Sequence, residues 1–286
     1  MVIDIHTHSF PDKIAGTAIG NLKKASHTVP FTDGTMKGLK ASMEEGGIDL
    51  SVVLPVATAE RQVIHINDAS ARANEVWEER GIFSAGAMHP CFDGWKDELA
   101  RIRDLGLKGI KVHPVYQDVD LNDIRFLRIF DRCAELGLFV VTHAGLDIGF
   151  PGVVRCSPKM AADVLSKVSG LKIVLAHMGG WKNWQEVPEM LAGTNAYLDT
   201  AFSTERFYPQ DDGYWSAEDA AMLDRDEFMK IVSAFGSRRI LFGSDCPWSR
   251  QGEVKSFIES LPLDETDREM ILGKNAEELI LNRHIN

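Results

Sequence analysis

The sequence predicts an α/β protein: a single (β/α)8 TIM barrel over residues 1–286, with further helices at its C-terminal end. Three observations predict it. Apolar, β-branched runs alternate with amphipathic helical runs eight times along the chain. Several helical runs stop at a glycine one residue before the next strand begins. The length, 286 residues, is near that of one such barrel. The competing fold, a doubly wound open sheet, is disfavoured because no G-x-G-x-x-G follows the first strand and no P-loop is present.

The elements follow in order. VIDIH (2–6) is the first strand, and TMKGLKASMEEGG (35–47) a helix closed by glycine. LSVVLPVA (50–57) is the second strand. INDASARANEVWEERG (66–81) is a helix with Asn67 or Asp68 near its start and Gly81 at its end. IFSAGAMHP (82–90) and LKGIKVHP (107–114) are strands around the helix at 94–106, and LFVVTHAG (138–145) follows the helix at 122–137. LKIVLAHMGG (171–180), NAYLDTA (195–201) and RRILFGSD (238–245) complete the eight. The helices between them fall at 158–170, at 184–193 despite Pro188, and at 224–236, and another at 274–283 ends the chain. Two connections are long, 9–33 and 202–223; both leave strand C-termini, where barrel sites are built, and the second reads as a lid or a specificity loop.

The polar residues fall where a barrel needs its chemistry. His6 and His8 end the first strand, His89 the third, Lys111 and His113 the fourth, His143 the fifth, His177 the sixth and Asp245 the eighth. Six of the nine histidines sit at strand ends; His27, His65 and His284 do not. His6 and His8 share one face of a strand and suit chelation of a metal ion, or are two polar residues entering a loop. Singly, each is an ordinary strand-end polar group, and Asp245 a helix cap. Together, the converging strand ends bring several buried ligands to one pocket, which is costly without a cation.

The net charge of −11 argues against nucleic-acid binding. No run approaches a membrane span, and the opening lacks a signal peptide. The four cysteines, Cys91, Cys133, Cys156 and Cys246, are scattered, so neither a disulfide framework nor a cysteine-rich zinc site is expected. The expectation is a cytoplasmic protein acting on a small molecule. Cys246, beside Asp245, reads as a buried strand-end cysteine rather than a nucleophile.

DIHTH, GIKVHP, LAHMGG, ILFGSDCPW and ILGKNAEELI resemble, over nearly the whole chain, the amidohydrolase superfamily, in its branch of aminocarboxymuconate-semialdehyde-decarboxylase-like and related metal-dependent hydrolases. The resemblance implies a divalent metal, most often zinc, held by His6, His8, His143 and Asp245, with His177 as a further ligand or a hydrogen-bond donor to substrate. It implies one ion, or two if Lys111 is carboxylated as in some relatives. It also implies Asp245 as general base, a metal-activated water attacking a lactone, ester or amide, and association as a homodimer. The alternative on the same metal site is a decarboxylase or hydratase of an aromatic or muconate-type acid. A TatD-like nuclease fits poorly, since such proteins place glutamate where this chain has Lys111. A degenerate, non-catalytic barrel fits poorly because every motif position is filled. Lys111, His113, Arg155 and Trp181 are the expected substrate contacts; Arg206 and Arg250 are further cationic candidates for an acidic substrate. Trp184, Tyr208, Trp215 and Trp248 form either an apolar wall or a subunit contact.

Overall fold

The computed structural model describes residues 1–204 and 206–281; His284 lies outside them. The eight barrel strands are Ile3–Thr7, Leu50–Val53, Ile82–Ser84 continued by Gly86–Ala87, Gly109–Val112, Phe139–Thr142, Lys172–Leu175, Tyr197–Asp199 and Ile240–Leu241. All pair parallel with their sequence neighbours. The third strand is broken at Ala85, where it passes from one run of pairing to the next. Closure is made by backbone bonds between the first strand and the segment beginning with the eighth: Ile5 N to Phe242 O at 2.9 Å, Asp245 N to His6 O at 2.8 Å and His8 N to Cys246 O at 2.7 Å.

Successive strand residues alternate between two apolar layers. Val141 and Val174 join Ile3, Ile5, Val52 and Phe83 inside the barrel, while Val140 and Ile173 pack outward against Phe126, Phe130 and the other helices. The helix Asn275–Leu281 closes the barrel's N-terminal end with Ala276, Leu279 and Ile280. Gly273 lets it dock, since a Cβ there would stand 2.0 Å from the carbonyl oxygen of Met1.

Four expectations are corrected. The connection 9–33 holds a helix, Asp12–Ser26, which buries only Ala15, Ile19 and Ser26 and so carries little apolar periodicity. The helix expected over 66–81 begins at Val63, so Asn67 lies inside it. Fully buried, Asn67 serves instead as a pairing partner for the broken third strand: Ala87 N donates to its Oδ1 at 2.8 Å, and its Nδ2 donates to Ala87 O and Glu98 Oε1. A hairpin, Leu146–Asp147 with Phe150–Val154, follows the fifth strand where only a loop was expected. The helix expected over 184–193 shrinks to Val187–Leu191, with Pro188 in its first turn, where proline's missing N–H costs nothing.

The segment 203–223 folds back on itself through the pairs Thr204–Leu223 and Arg206–Ala221. Phe207, Ala220 and Met222 form a separate apolar cluster with Trp181 and Phe202. It also docks on the helix Asp12–Ser26: Trp215 Nε1 donates to Ser26 O at 2.8 Å, and Tyr214 stacks on His27 at 3.9 Å.

Replacing Asn67 with alanine strands the buried Ala87 amide and leaves Glu98 to Arg101 alone, and is expected to cost about 1–3 kcal/mol in a denaturant titration. Asp68→Ala, which removes only a surface pair with Arg101, should leave the midpoint unchanged within error.

Candidate metal centre

His6, His8 and Asp245 arrive from opposite ends of the chain because the first and eighth strands are neighbours in the closed barrel. Their ligand atoms lie within 4.8 Å of one another. Asp245 Oδ1 stands 3.1 Å from His8 Nε2 and 3.6 Å from His6 Nε2. His177 packs beside His6, with ring centroids 5.4 Å apart, and His143 beside His177 at 4.8 Å. His177 and Asp245 have φ values of 60° and 68°, a left-handed conformation that non-glycine residues adopt at a cost of roughly 1–3 kcal/mol each.

The partners around these rings fix their protons. His6 Nδ1 faces the Asp199 carboxylate at 2.8 Å, His8 Nδ1 the carbonyl of Leu54 at 2.9 Å, and His177 Nδ1 the carbonyl of Ala201 at 2.9 Å. These oxygens only accept, so each ring spends its one neutral-state proton on Nδ1. Nε2 of all three is left as a lone pair. His8 Nε2 then meets a carboxylate oxygen, and His177 Nε2 meets His143 Nδ1 at 3.0 Å. His143 Nε2 in turn faces Leu146 O at 2.9 Å, so one neutral proton cannot serve both of its sides. Extra protons are disfavoured: burial, with neighbouring positive groups, pushes His6 and His143 well below the ordinary histidine value. A set of buried lone pairs and carboxylate oxygens, short of protons, fits a divalent cation. The outward-facing hydrogen bonds are the ones that orient metal-binding imidazoles.

Lys111 is almost fully buried, with Nζ 3.3 Å from His6 Nε2. Burial lowers it to about 8, and burial raises Asp199 to about 7. The Asp199 carboxylate also accepts from His177 N at 2.9 Å and Ala201 N at 3.1 Å. It thus orients two of the histidines at once.

A sequence profile for the amidohydrolase family matches residues 3–280. This chain belongs to the amidohydrolase family. It is 26 % identical over 239 residues to 2-amino-3-carboxymuconate-6-semialdehyde decarboxylase of Dictyostelium discoideum; the match covers 76 % of this chain and 65 % of that protein, a little under two thirds of its length. In fold it resembles an uncharacterized TIM-barrel protein of Bordetella bronchiseptica, with a TM-score of 0.74, 17 % identity and 98 % of each chain covered. It likewise resembles a dihydroxybenzoic acid decarboxylase of a Polaromonas species, solved with bound manganese and 2-nitroresorcinol, with a TM-score of 0.64, 18 % identity, and 99 % of this chain and 98 % of that one covered.

In this amidohydrolase the other expected site residues divide. His113 joins the cluster, its ring 4.3 Å from that of His143. Arg155 does not: it pairs with Asp118 and with Asp120, the latter at 2.8 Å, away from the histidines. Trp181 is buried in the lid cluster, with Nε1 donating to Met222 Sδ. Trp184 fixes the backbone of the site by donating to His177 O at 2.8 Å. Arg250 lies over the Phe31 ring, Arg206 over the ring of Tyr208. His89 stands apart with Glu60 and Cys91.

Three carboxylates were missed by sequence reasoning: Asp199, Asp147 and Asp4. Asp199 carried the same signal as Asp245, a charge at the end of an apolar strand. Asp4 sits inside the buried first strand. Its Oδ1 accepts from His6 N at 3.1 Å and Ser244 N at 3.0 Å, its Oδ2 from Ser244 Oγ at 2.5 Å and Gln251 Nε2 at 2.8 Å. Burial raises it to about 6 although all four donors pull the other way. Asp4 therefore ties the backbone of one ligand, His6, to the residue before another, Asp245.

Asp4→Asn turns a donor toward these donors. The expected outcome is a metal affinity weaker by about 10–100-fold in competition with a chelator. A core truncation of equal destabilisation, such as Phe257→Ala, should leave the affinity unchanged.

Proposed function

We propose that this chain is a divalent-metal-dependent decarboxylase of a small carboxylated aromatic or muconate-type acid. The observation that carries the metal dependence is the convergence of the Nε2 atoms of His6 and His8 on Asp245. The curated relative supports decarboxylation ahead of the hydrolysis of a lactone, ester or amide. A divalent ion held by His6, His8 and Asp245, most simply zinc for this nitrogen-rich set, supplies Lewis acidity toward a substrate oxygen. One ion at these three residues requires no carboxylation of Lys111.

The chain's own groups do the rest. Lys111 is the cation nearest these residues and pairs with an anionic oxygen of the substrate. His177, its Nδ1 proton committed to Ala201, presents Nε2 as a hydrogen-bond acceptor; acting as a donor would need a second proton, which burial opposes. Asp245 is the proton carrier. When carbon dioxide leaves, the electron pair of the broken C–C bond must be capped by a proton; Asp245, held below the usual carboxylate range against its burial by His8, His177 and Lys111, would first take that proton from a water and then pass it to the carbon. The near-complete burial of the site favours loss of a charged carboxylate as a neutral gas. The Trp181 cluster and the lid exclude water above it. Among the described residues no helix is long and apolar enough to cross a membrane. Association as a homodimer remains part of this proposal, with sedimentation as its measurement.

The test is a paired screen of the zinc- or manganese-loaded protein: carbon dioxide release from hydroxylated aromatic and muconate-type acids, and acid release from lactones. Turnover of the first class that disappears on chelation and returns with metal is expected. Asp245→Asn should lower kcat/KM by about 10²–10⁴-fold, and His6→Ala/His8→Ala should abolish metal-dependent turnover. Activity on lactones alone would replace decarboxylation with hydrolysis; full activity without metal would end the proposal.

A further inference from the structure

A stack of rings runs outward from the histidine cluster, and the chemistry above leaves its outer member without a task. The Tyr116 ring stacks on His113 with centroids 3.8 Å apart and planes 20° from parallel. His113 stacks in turn on His143 at 4.3 Å and 15°. Phe150, on the second strand of the hairpin, leans on Tyr116 from 5.4 Å. Such offset ring contacts fix the orientation of each member.

The backbone that carries Tyr116 is held just as firmly. The next residue, Gln117, is buried; its Oε1 accepts from His113 N at 3.0 Å, and its Nε2 donates to Ala57 O at 2.8 Å and Met88 O at 2.7 Å. One side-chain amide thus ties the turn 113–117 to the chain beyond the second and third strands. Gln117 N closes that turn by donating to His113 O at 3.0 Å. With ring and backbone fixed, the hydroxyl is the one group of Tyr116 left over. Among the described residues it has no hydrogen-bond partner, whereas the hydroxyl of Tyr208 donates to Glu253 Oε2. Solvent reaches its oxygen. Burial, with the carboxylates of Asp147 and Asp245, raises Tyr116 and keeps it protonated. Asp245 follows the eighth strand, across the barrel from the fourth, so a hydroxyl within reach of its charge points over the mouth.

We propose that Tyr116 is a specificity-determining residue: its O–H donates to a second oxygen of the substrate, remote from the carboxylate that leaves. This rests on the decarboxylase reading for which end of the substrate is which. One end meets Lys111 among the metal-seeking groups; the other meets a phenol that only the substrate can partner. A fixed donor of this kind selects by what it loses. A bare ring edge opposite the hydroxyl would take it out of water and give nothing back, so acids lacking the second oxygen are disfavoured. An acid that carries it finds a donor already oriented, and little freedom is lost on binding. The oxygen it takes is that of a second carboxylate or of a ring hydroxyl, both of which accept.

The test is calorimetric titration of the zinc-loaded protein, and of its Tyr116→Phe variant, with benzoate, 3-hydroxybenzoate and isophthalate. The unaltered chain is expected to bind 3-hydroxybenzoate or isophthalate about 10–100-fold more tightly than benzoate. Which of the two is preferred tells a hydroxyl from a carboxylate. Tyr116→Phe keeps the ring and its stack; it should erase the preference and leave benzoate binding unchanged. A role confined to supporting His113 would instead weaken all three acids alike, and that result overturns the proposal. So does a preference that survives in Tyr116→Phe, and so do equal affinities or no binding in the unaltered chain. Turnover separates this proposal from the reading it rests on. Carbon dioxide release from a substrate, with the preference intact in Tyr116→Phe, sinks the role of Tyr116 alone. A preference that depends on Tyr116, with no carbon dioxide released from any acid in the screen, sinks decarboxylation alone.

Discussion

A neutral imidazole has one proton and two nitrogens, and the barrel's backbone decides which nitrogen gets it. Leu54 and Ala201 present carbonyls, and Asp199 a carboxylate, to the outer nitrogens of His8, His177 and His6. The inner nitrogens are therefore electron pairs, gathered where strand ends converge. Two of them meet protein donors, Lys111 Nζ at 3.3 Å from His6 Nε2 and His143 Nδ1 at 3.0 Å from His177 Nε2, while His8 Nε2 lies 3.1 Å from the Asp245 carboxylate. Nitrogen and carboxylate electron pairs brought this close make physical sense as an arrangement completed by a cation.

That arrangement is held by devices outside the ligands. The strained backbones of His177 and Asp245 persist because neighbours over-determine them. His177 N donates to Asp199, Met178 N to the Asp199 carbonyl at 2.7 Å, Asp245 N to His6 O and Trp184 to His177 O. The Asp4 carboxylate binds the two sides of the barrel's closing seam. Closure and site assembly are thus one event: the bonds that complete the barrel also bring His6 and His8 to Asp245.

Much of this was legible in the sequence, for a reason specific to parallel barrels. Strand C-termini meet at one mouth, so reading which residue ends each strand amounts to reading a site. His6, His8, His143, His177, Lys111 and Asp245 could be gathered that way. The hairpin could not. LDIGFPGVV holds two glycines and a proline and shows no alternation, so its pairing comes from tertiary contact: Gly145 N bonds to Cys156 O, and Leu146 N to Trp181 O. Gly145 itself must be glycine, since a Cβ would lie 2.2 Å from Trp181 N. Asp147 was hidden with the hairpin that carries it. Arg155 was misplaced because sequence position gives a charge's neighbourhood but not its partners; Asp118 and Asp120 reach it first. The helix Asp12–Ser26 escaped notice because only a narrow stripe of it is buried.

The two long connections answer a different demand. Charged and metal-seeking groups at an open mouth would be bathed in water, which weakens every electrostatic interaction among them. The lid supplies a low-dielectric cover with its own apolar cluster of Trp181, Phe202, Phe207 and Met222, distinct from the barrel core. Its polar ties, His27 with Asp212 and Tyr208 with Glu253, are solvent-exposed and add little. The apolar cluster therefore holds the lid together with its bonds to the helix Asp12–Ser26 and the residues after it: Trp215 Nε1 to Ser26 O, Gln210 N to His27 O and Val29 N to Tyr208 O. A cover held by apolar contacts and backbone bonds depends little on salt, unlike one held by exposed ion pairs. Trp181 lies within that cluster, and the partly buried Trp184, Trp215 and Trp248 pack against it, so the lid's apolar contacts run continuously to the strand ends that carry the site.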